Sequence, residues 1–234
     1  EGPVISCLTT GRFFCIFYSI VCNMNILSID TSGKSFSLTL QKDNIKTSFV
    51  DTTESVSSES VLVEIDKLVS ECMITPKDIC SVIYNNGPGS FTGVRVSSAI
   101  VQAIGFSNNC PVYGINSLML IAYSEHMKNN ISKIQVIKKA FGDQVFHGLF
   151  HLTSDSCISN DPIKTSTFSD VEIDSNYVLI TDDNNTIENL KDEHLLIDHF
   201  VGSELLIDYY NIYCVKKNNF DYKDALPSYA GHTI

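Results

Sequence analysis

Gly87-Pro88-Gly89-Ser90-Phe91-Thr92-Gly93-Val94-Arg95 is the stretch whose reading decides the fold. Three glycines and a proline in seven residues force a sharp backbone turn, and either Ser90 or Thr92 is placed to cap a following helix. Just upstream, Ile79-Cys80-Ser81-Val82-Ile83-Tyr84 has the apolar, β-branched character of a strand. Downstream, Val94, Val96, Ala99, Ile100, Ala103 and Ile104 follow helical spacing. The unit is therefore strand, turn, helix. Free amides at the helix start could hold an anion, and the plainer alternative is a tight turn that packs Phe91 under the sheet.

Working outward, three β-rich runs precede the unit: Ile26 to Ile29, Phe36 to Leu40 and Ile45 to Phe49, separated by Ser32-Gly33-Lys34 and Asp43-Asn44. They predict an antiparallel meander. Val61, Leu62, Ile65, Leu68, Val69, Cys72 and Met73 predict a helix capped by Ser57 or Ser58 and stopped by Pro76. Pro111 to Ile115 predicts another strand, and Asn116 or Ser117 opens a helix running to about Lys128. The order β-β-β-α-β-α-β-α makes a complete mixed α/β lobe over residues 24–130. Beyond Asn130, Asp, Asn and Ser become frequent, which marks residues 131–234 as a second, divergent lobe. It holds a predicted hairpin around Gly142-Asp143, a strand at Tyr177 to Ile180 and a helix from Gly202 to Lys216.

The chain has 234 residues, enough for two modest lobes, and 44% hydrophobic residues with slightly positive mean hydropathy, enough to bury a core. Its formal net charge of -11 opposes unaided nucleic-acid binding, which depends on Lys and Arg against phosphates. Any RNA would be gripped by another protein. The eight cysteines are scattered through apolar runs and read as buried hydrophobes in a reducing cytoplasm. Residues 1–23 carry an apolar run, Phe13 to Cys22, of about ten residues, against roughly 20 for a bilayer span. They are expected to be a dispensable N-terminal extension, with the functional domain starting at Met24 and no membrane partner.

Asp30-Thr31-Ser32-Gly33-Lys34-Ser35 ends like a P-loop, but Ser28 stands where the first glycine is required and a strand follows where a helix is needed. Two readings of Asp30, Thr31 and Ser32 stay open: a phosphate-approaching turn, or a hairpin in which Asp30 accepts from turn amides. His126, His147, His151, His194, His199 and His232 show no metal-ligand spacing, and no nucleophile elbow is present. The expectation is no catalytic residue and no metal site.

The nine residues from Gly87 to Arg95, with Ile26 to Ser32 before them and Pro111 to Leu118 after, resemble the TsaB (YeaZ) family in order and spacing. The resemblance covers about Met24 to Lys128. It implies an actin-like, sugar-kinase-like (ASKHA) α/β fold of two lobes, and a subunit that supports TsaD-type threonylcarbamoyl transfer onto the adenosine beside the tRNA anticodon. It also implies a homodimer when alone, a TsaD-type partner, a TsaE-type ATPase added to that pair, and tRNA contact only through the complex. No cofactor is expected on this subunit alone, with ATP or ADP held at the complex interface. TsaD-like enzymes hold a metal through His-x-x-x-His on their first helix, whereas Asp51 to Met73 here contains no histidine.

Two departures remove arginines. Lys139-Ala140-Phe141 stands where relatives have Asp-Ala-Arg, and Gly231 follows Pro227-Ser228-Tyr229-Ala230 where they have Pro-x-Tyr-x-Arg. The competing class is a small actin-like ATPase or kinase using Asp30, Thr31 and the Gly87 to Thr92 loop. For the partner surface, Val96, Ala99, Ile100, Ala103 and Ile104 are expected to cover the sheet. Val94, Ser98, Val101 and Gly105 would then face outward as a small-residue seam, joined by Leu62 and Met73 of the preceding helix.

Overall fold

The computed structural model describes residues 24–33, 35–51, 53, 56–154, 156–159, 162–182, 194–196 as backbone, 202–214 and 221–229. The expected extension over 1–23, Lys34, His199 and His232 lie outside these.

The meander forms as its alternation dictates. β1 (Ile26–Asp30), β2 (Phe36–Lys42) and β3 (Ile45–Asp51) pair antiparallel in sequence. Asp43 and Asn44 make the β2–β3 turn with both φ angles positive, at 52° and 65°, a conformation Asn and Asp tolerate. β4 (Ser81–Gly87) and β5 (Val112–Asn116) then run parallel to β1, giving a sheet of order β3-β2-β1-β4-β5.

One face of this sheet is apolar. Leu27, Ile29, Phe36, Leu38, Leu40, Val82, Tyr84 and Val112 are buried there under α1 (Ser58–Glu71) and α2 (Phe91–Asn108). Ser57 caps α1 by accepting from Ser60 N at 3.0 Å, and Ser60 Oγ accepts from Ser57 N, a reciprocal capping box. Val61, Ile65, Leu68 and Val69 are the stripe α1 buries. The other face carries Ser28, Ser37, Thr39 and Gln41, all buried, and is covered by α3 (Ser117–Asn129) and α4 (Ser203–Tyr209). Hydroxyls satisfy one another in this layer. Thr39 Oγ1 bonds Ser48 Oγ at 3.0 Å and Ser203 Oγ at 2.8 Å, while Ser28 Oγ donates to Ser203 O at 2.7 Å.

A second sheet lies beyond α3 and α4. β6 (Lys133–Lys139) and β7 (Gln144–Leu152) form the expected hairpin, with Gly142 at φ 62° in its turn. β8 (Cys157–Ser159) and β9 (Lys164–Thr167) pair with β7. β10 (Val178–Thr181) and β11 (His194–Leu196) extend the other edge in parallel with β6. Ile134, Val136, Phe150, Leu152 and Ile180 pack against α3 and α4 in a core that also holds Tyr123, Tyr209 and Tyr213 edge to face. α4 continues as a π-helical turn through Cys214. The chain then returns to the first sheet, where Ala225 is buried in its apolar core and Tyr222 packs beside it. Among the described residues no helix is long and apolar enough to cross a membrane.

Candidate functional site

Asp30 ends β1, the central strand of the first sheet, and the turn folds back onto it. Asp30 Oδ1 accepts from Ser32 N at 2.9 Å and from Ser32 Oγ at 2.7 Å, and Oδ2 accepts from Asn85 Nδ2 at 3.1 Å. Burial pushes the carboxyl above its usual value of 3.8. The Ser32 amide, the Asn85 and Ser32 side chains and the Lys138 charge oppose that shift. Asn85 is the hub on the β4 side. Its Oδ1 accepts from Gly87 N at 3.0 Å and from Ser117 Oγ at 2.7 Å, which ties the glycine loop to the start of α3.

The loop and the turn then interlock. Ser90 N donates to Ser32 O at 2.7 Å, and Thr31 Oγ1 donates to Gly93 O at 2.6 Å. A Cβ on Gly93 would overlap the Thr31 carbonyl oxygen, and one on Gly89 would overlap that of Ser32. These two glycines let two backbones touch. Ser90 caps α2 by accepting from Gly93 N at 3.2 Å, and the Gly87-Pro88 bond is cis. Gly87, at φ 97°, also faces Ser228 O, which a Cβ would approach to 2.8 Å. Of the two open readings of the first turn, the hydrogen bonds are those of the hairpin reading. Asp30 faces inward, and Thr31 is spent on the glycine loop.

The tail segment completes the site. Ser228 N donates to Asn86 O at 2.7 Å, Tyr84 OH to Leu226 O at 3.1 Å and Gln102 Nε2 to Ala225 O at 2.9 Å. Tyr229 reaches the first turn of α2, where its hydroxyl accepts from Arg95 Nε at 2.7 Å. The Arg95 guanidinium stacks 3.7 Å above the Phe91 ring, whose centroid is 5.8 Å from that of Tyr229. Phe91 is 60% exposed, so the alternative in which the turn packs it under the sheet does not hold.

Two further corrections concern α2. Val94, Ser98, Val101 and Gly105 were expected to face outward, but all four are buried against the sheet. Gly105 shows why. A Cβ there would come within 2.5 Å of Val112 Cγ2 and 2.7 Å of Tyr222 Cβ, so the small residues admit the protein's own β5 and tail. Conversely Ala99 and Ala103, expected inside, are exposed, and Val96 and Ile104 are half-buried. Ile100 covers the sheet as expected. Leu62 and Met73 are exposed, at 50% and 85%.

Reasoning from the sequence missed Tyr222 and Ala225, and it named Ser228 and Tyr229 only within a departure from the family pattern, without placing them at this site. Such a segment has no periodicity to read. A separate cleft of about 430 Å3, lined by Ser37, Thr39, Ser48, Ser124, Lys128 and Ser203 among others, contains none of the predicted residues. Among the described residues no group of three His, Cys, Asp or Glu side chains is placed to hold a metal ion.

With this geometry in place, a family model described as "TsaD: tRNA N6-adenosine threonylcarbamoyltransferase" matches residues 52–168, half of the chain. The chain is 32% identical over 123 residues to the tRNA threonylcarbamoyladenosine biosynthesis protein TsaB of Buchnera aphidicola subsp. Schizaphis graminum, covering 53% of this chain and 59% of that one. It is 28% identical over 129 residues to the Bacillus subtilis protein of the same name, covering 54% and 55%. The chain thus spans about half the length of the curated relatives it matches. The structure of YeaZ from Pseudomonas aeruginosa superposes with a TM-score of 0.76 at 18% identity, over 88% of this chain and 99% of that one, and shares this α/β fold.

Proposed function

Because the chain belongs to the TsaD-type tRNA threonylcarbamoyltransferase family, in its TsaB (YeaZ) branch, we propose that it is a non-catalytic subunit that supports a TsaD-type partner. The partner transfers threonylcarbamoyl to the adenosine beside the tRNA anticodon. The observation that carries this reading is the clasp. The turn that an actin-like ATPase would offer to phosphates is here filled by the chain's own backbone, with Asp30 3% exposed and bonded to Ser32 and Asn85. The acidic balance of the chain supports tRNA contact through the partner alone. A TsaE-type ATPase joins the pair, ATP or ADP sits at the complex interface, and the subunit pairs with itself when alone. The complex works in the cytoplasm.

The partner surface is the outer side of α2 with the exposed apolar groups of α1. Phe91, Arg95, Ala99, Ala103 and Phe106 lie three or four residues apart on α2, and Leu62, Val63 and Met73 are exposed on or just after α1. This replaces the seam of Val94, Ser98, Val101 and Gly105.

Reconstitution tests the reading. Threonylcarbamoyl incorporation into tRNA by TsaD-type and TsaE-type proteins should require this chain, and the chain alone should turn over no ATP. ATP turnover by the purified chain that disappears in a folded Asp30→Ala variant would overturn it in favour of the small ATPase.

A further inference from the structure

Arg95 is the only arginine among the described residues, and the full chain has one other, Arg12. It is exposed, yet its side chain is held on two sides. Phe91, one turn earlier, supports the guanidinium plane at 3.7 Å, and Tyr229 takes the Nε proton at 2.7 Å. Of the five N–H donors, the Nε bond to Tyr229 uses one, and the other four belong to Nη1 and Nη2. No carboxylate forms an ion pair with Arg95 among the described residues. A guanidinium held in this way loses little side-chain entropy on accepting a planar, two-oxygen acceptor.

Position gives the fork its meaning. Phe91, Arg95, Ala99 and Ala103 follow one another at four-residue steps along the outer side of α2, and Phe106 closes the row, 70% exposed. The two alanines permit close helix approach, and the aromatic rings flank it. On that apolar row Arg95 is the one charge. In a protein of net charge -11, a preorganised cation at the end of an apolar row is a complement to an acidic group.

We propose that Arg95 binds a carboxylate of the TsaD-type partner end-on through its two Nη groups and sets the register of the partner on α2. This rests on the reading of α2 as the partner surface. A second copy of the chain is the poorer occupant of the fork. α2 has no Asp or Glu in its 18 residues, so pairing α2 with α2 supplies no carboxylate from that helix and brings two arginines into one contact. A second copy could reach the fork only through the acidic residues of α1 (Glu59, Glu64, Asp66 and Glu71), and self-association weakened by Arg95→Glu would assign the fork to that copy and overturn the proposal. Phe91 and Tyr229 act as positioning residues for the guanidinium.

The test compares Arg95→Glu, Arg95→Lys, Phe91→Ala and Ala99→Arg for partner affinity by titration calorimetry, at low and high salt, with self-association followed by sedimentation. The thermal midpoint of each variant checks the fold. Arg95→Glu should weaken partner binding by roughly 30-fold or more and reduce its salt dependence, while self-association does not weaken. Arg95→Lys should retain the charge yet lose about tenfold, because an ammonium cannot replace the fork. Phe91→Ala should give a smaller loss in the same direction. If Arg95→Glu binds the partner as the parent does while Ala99→Arg abolishes binding, the surface stands and the role of Arg95 is overturned. If both variants bind normally, the surface reading itself fails and the role of Arg95 fails with it.

Discussion

Gly93 carries a constraint that no other residue type meets, because its missing Cβ is where the Thr31 carbonyl oxygen sits. Gly93→Ala must push the first turn away from the glycine loop, at a cost of about 2–4 kcal/mol in urea unfolding. Gly142 is the control. Its φ is 62° and nothing lies within 4 Å of a Cβ there, so Gly142→Asn should cost less than about 1 kcal/mol. Equal losses at the two sites would show that the clasp is not tightly packed. Asp30 gives a pH prediction with a definite sign. Its folded carboxyl holds a proton more firmly than the unfolded one, so the folded state binds more protons above the usual value of 3.8. Its contribution is therefore most favourable below 3.8 and is lost as pH rises through the raised folded value. The stability of the parent relative to an Asp30→Ser variant should decline from about pH 4 upward before levelling. A difference that grows with pH over that range would contradict the burial argument. The local bonds of Asp30 were legible as a turn pattern, but its burial and its bond from Asn85 depend on elements distant in sequence.

At the scale of the element, α2 and the polar layer each make a measurable claim. Val101 is fully buried and Ser98 nearly so, whereas Ala99 between them in sequence is exposed. Val101→Arg should abolish cooperative unfolding or cost several kcal/mol, because a charge enters the apolar core unpaired. Ala99→Arg should stay within about 0.5 kcal/mol of the parent in the same denaturation experiment. A stable Val101→Arg protein would mean that the helix is rotated relative to this structure. The second element is the hydroxyl layer beneath α4. Thr39→Val keeps the shape but leaves Ser203 and Ser48 without their shared partner, at a cost of about 1–3 kcal/mol. Unchanged stability would show that those hydroxyls find other acceptors. The period of β2 announced this layer, since Phe36, Leu38 and Leu40 alternate with Ser37, Thr39 and Gln41. Which element would cover the polar face was not written there.

For the whole molecule, the return of the chain to the first sheet is the feature with the largest consequence. Residues 221–229 place Tyr222 and Ala225 beside α2, pair Ser228 with Asn86 and hold Arg95 through Tyr229. Deleting residues 221–234 should lower stability by roughly 3 kcal/mol or more and uncover the inner side of α2, read by dye binding and a lowered urea midpoint. A deletion mutant as stable as the parent would show that the tail only rests on the surface. The sequence by itself determined the order of elements in the first lobe, the hairpin turns and the glycine loop, and narrowed each cap to two residues, of which the structure uses Ser57, Ser90 and Asn116, because short-range period and turn chemistry are local properties. It also carried the resemblance to the family, in Gly87 to Arg95 with Ile26 to Ser32 before them and Pro111 to Leu118 after. The tertiary structure alone decided which side of α2 faces inward. Both sides carry small apolar residues, so periodicity could not choose between them. The choice was made by the closeness of β5 and of a tail more than a hundred residues away, both of which Gly105 admits.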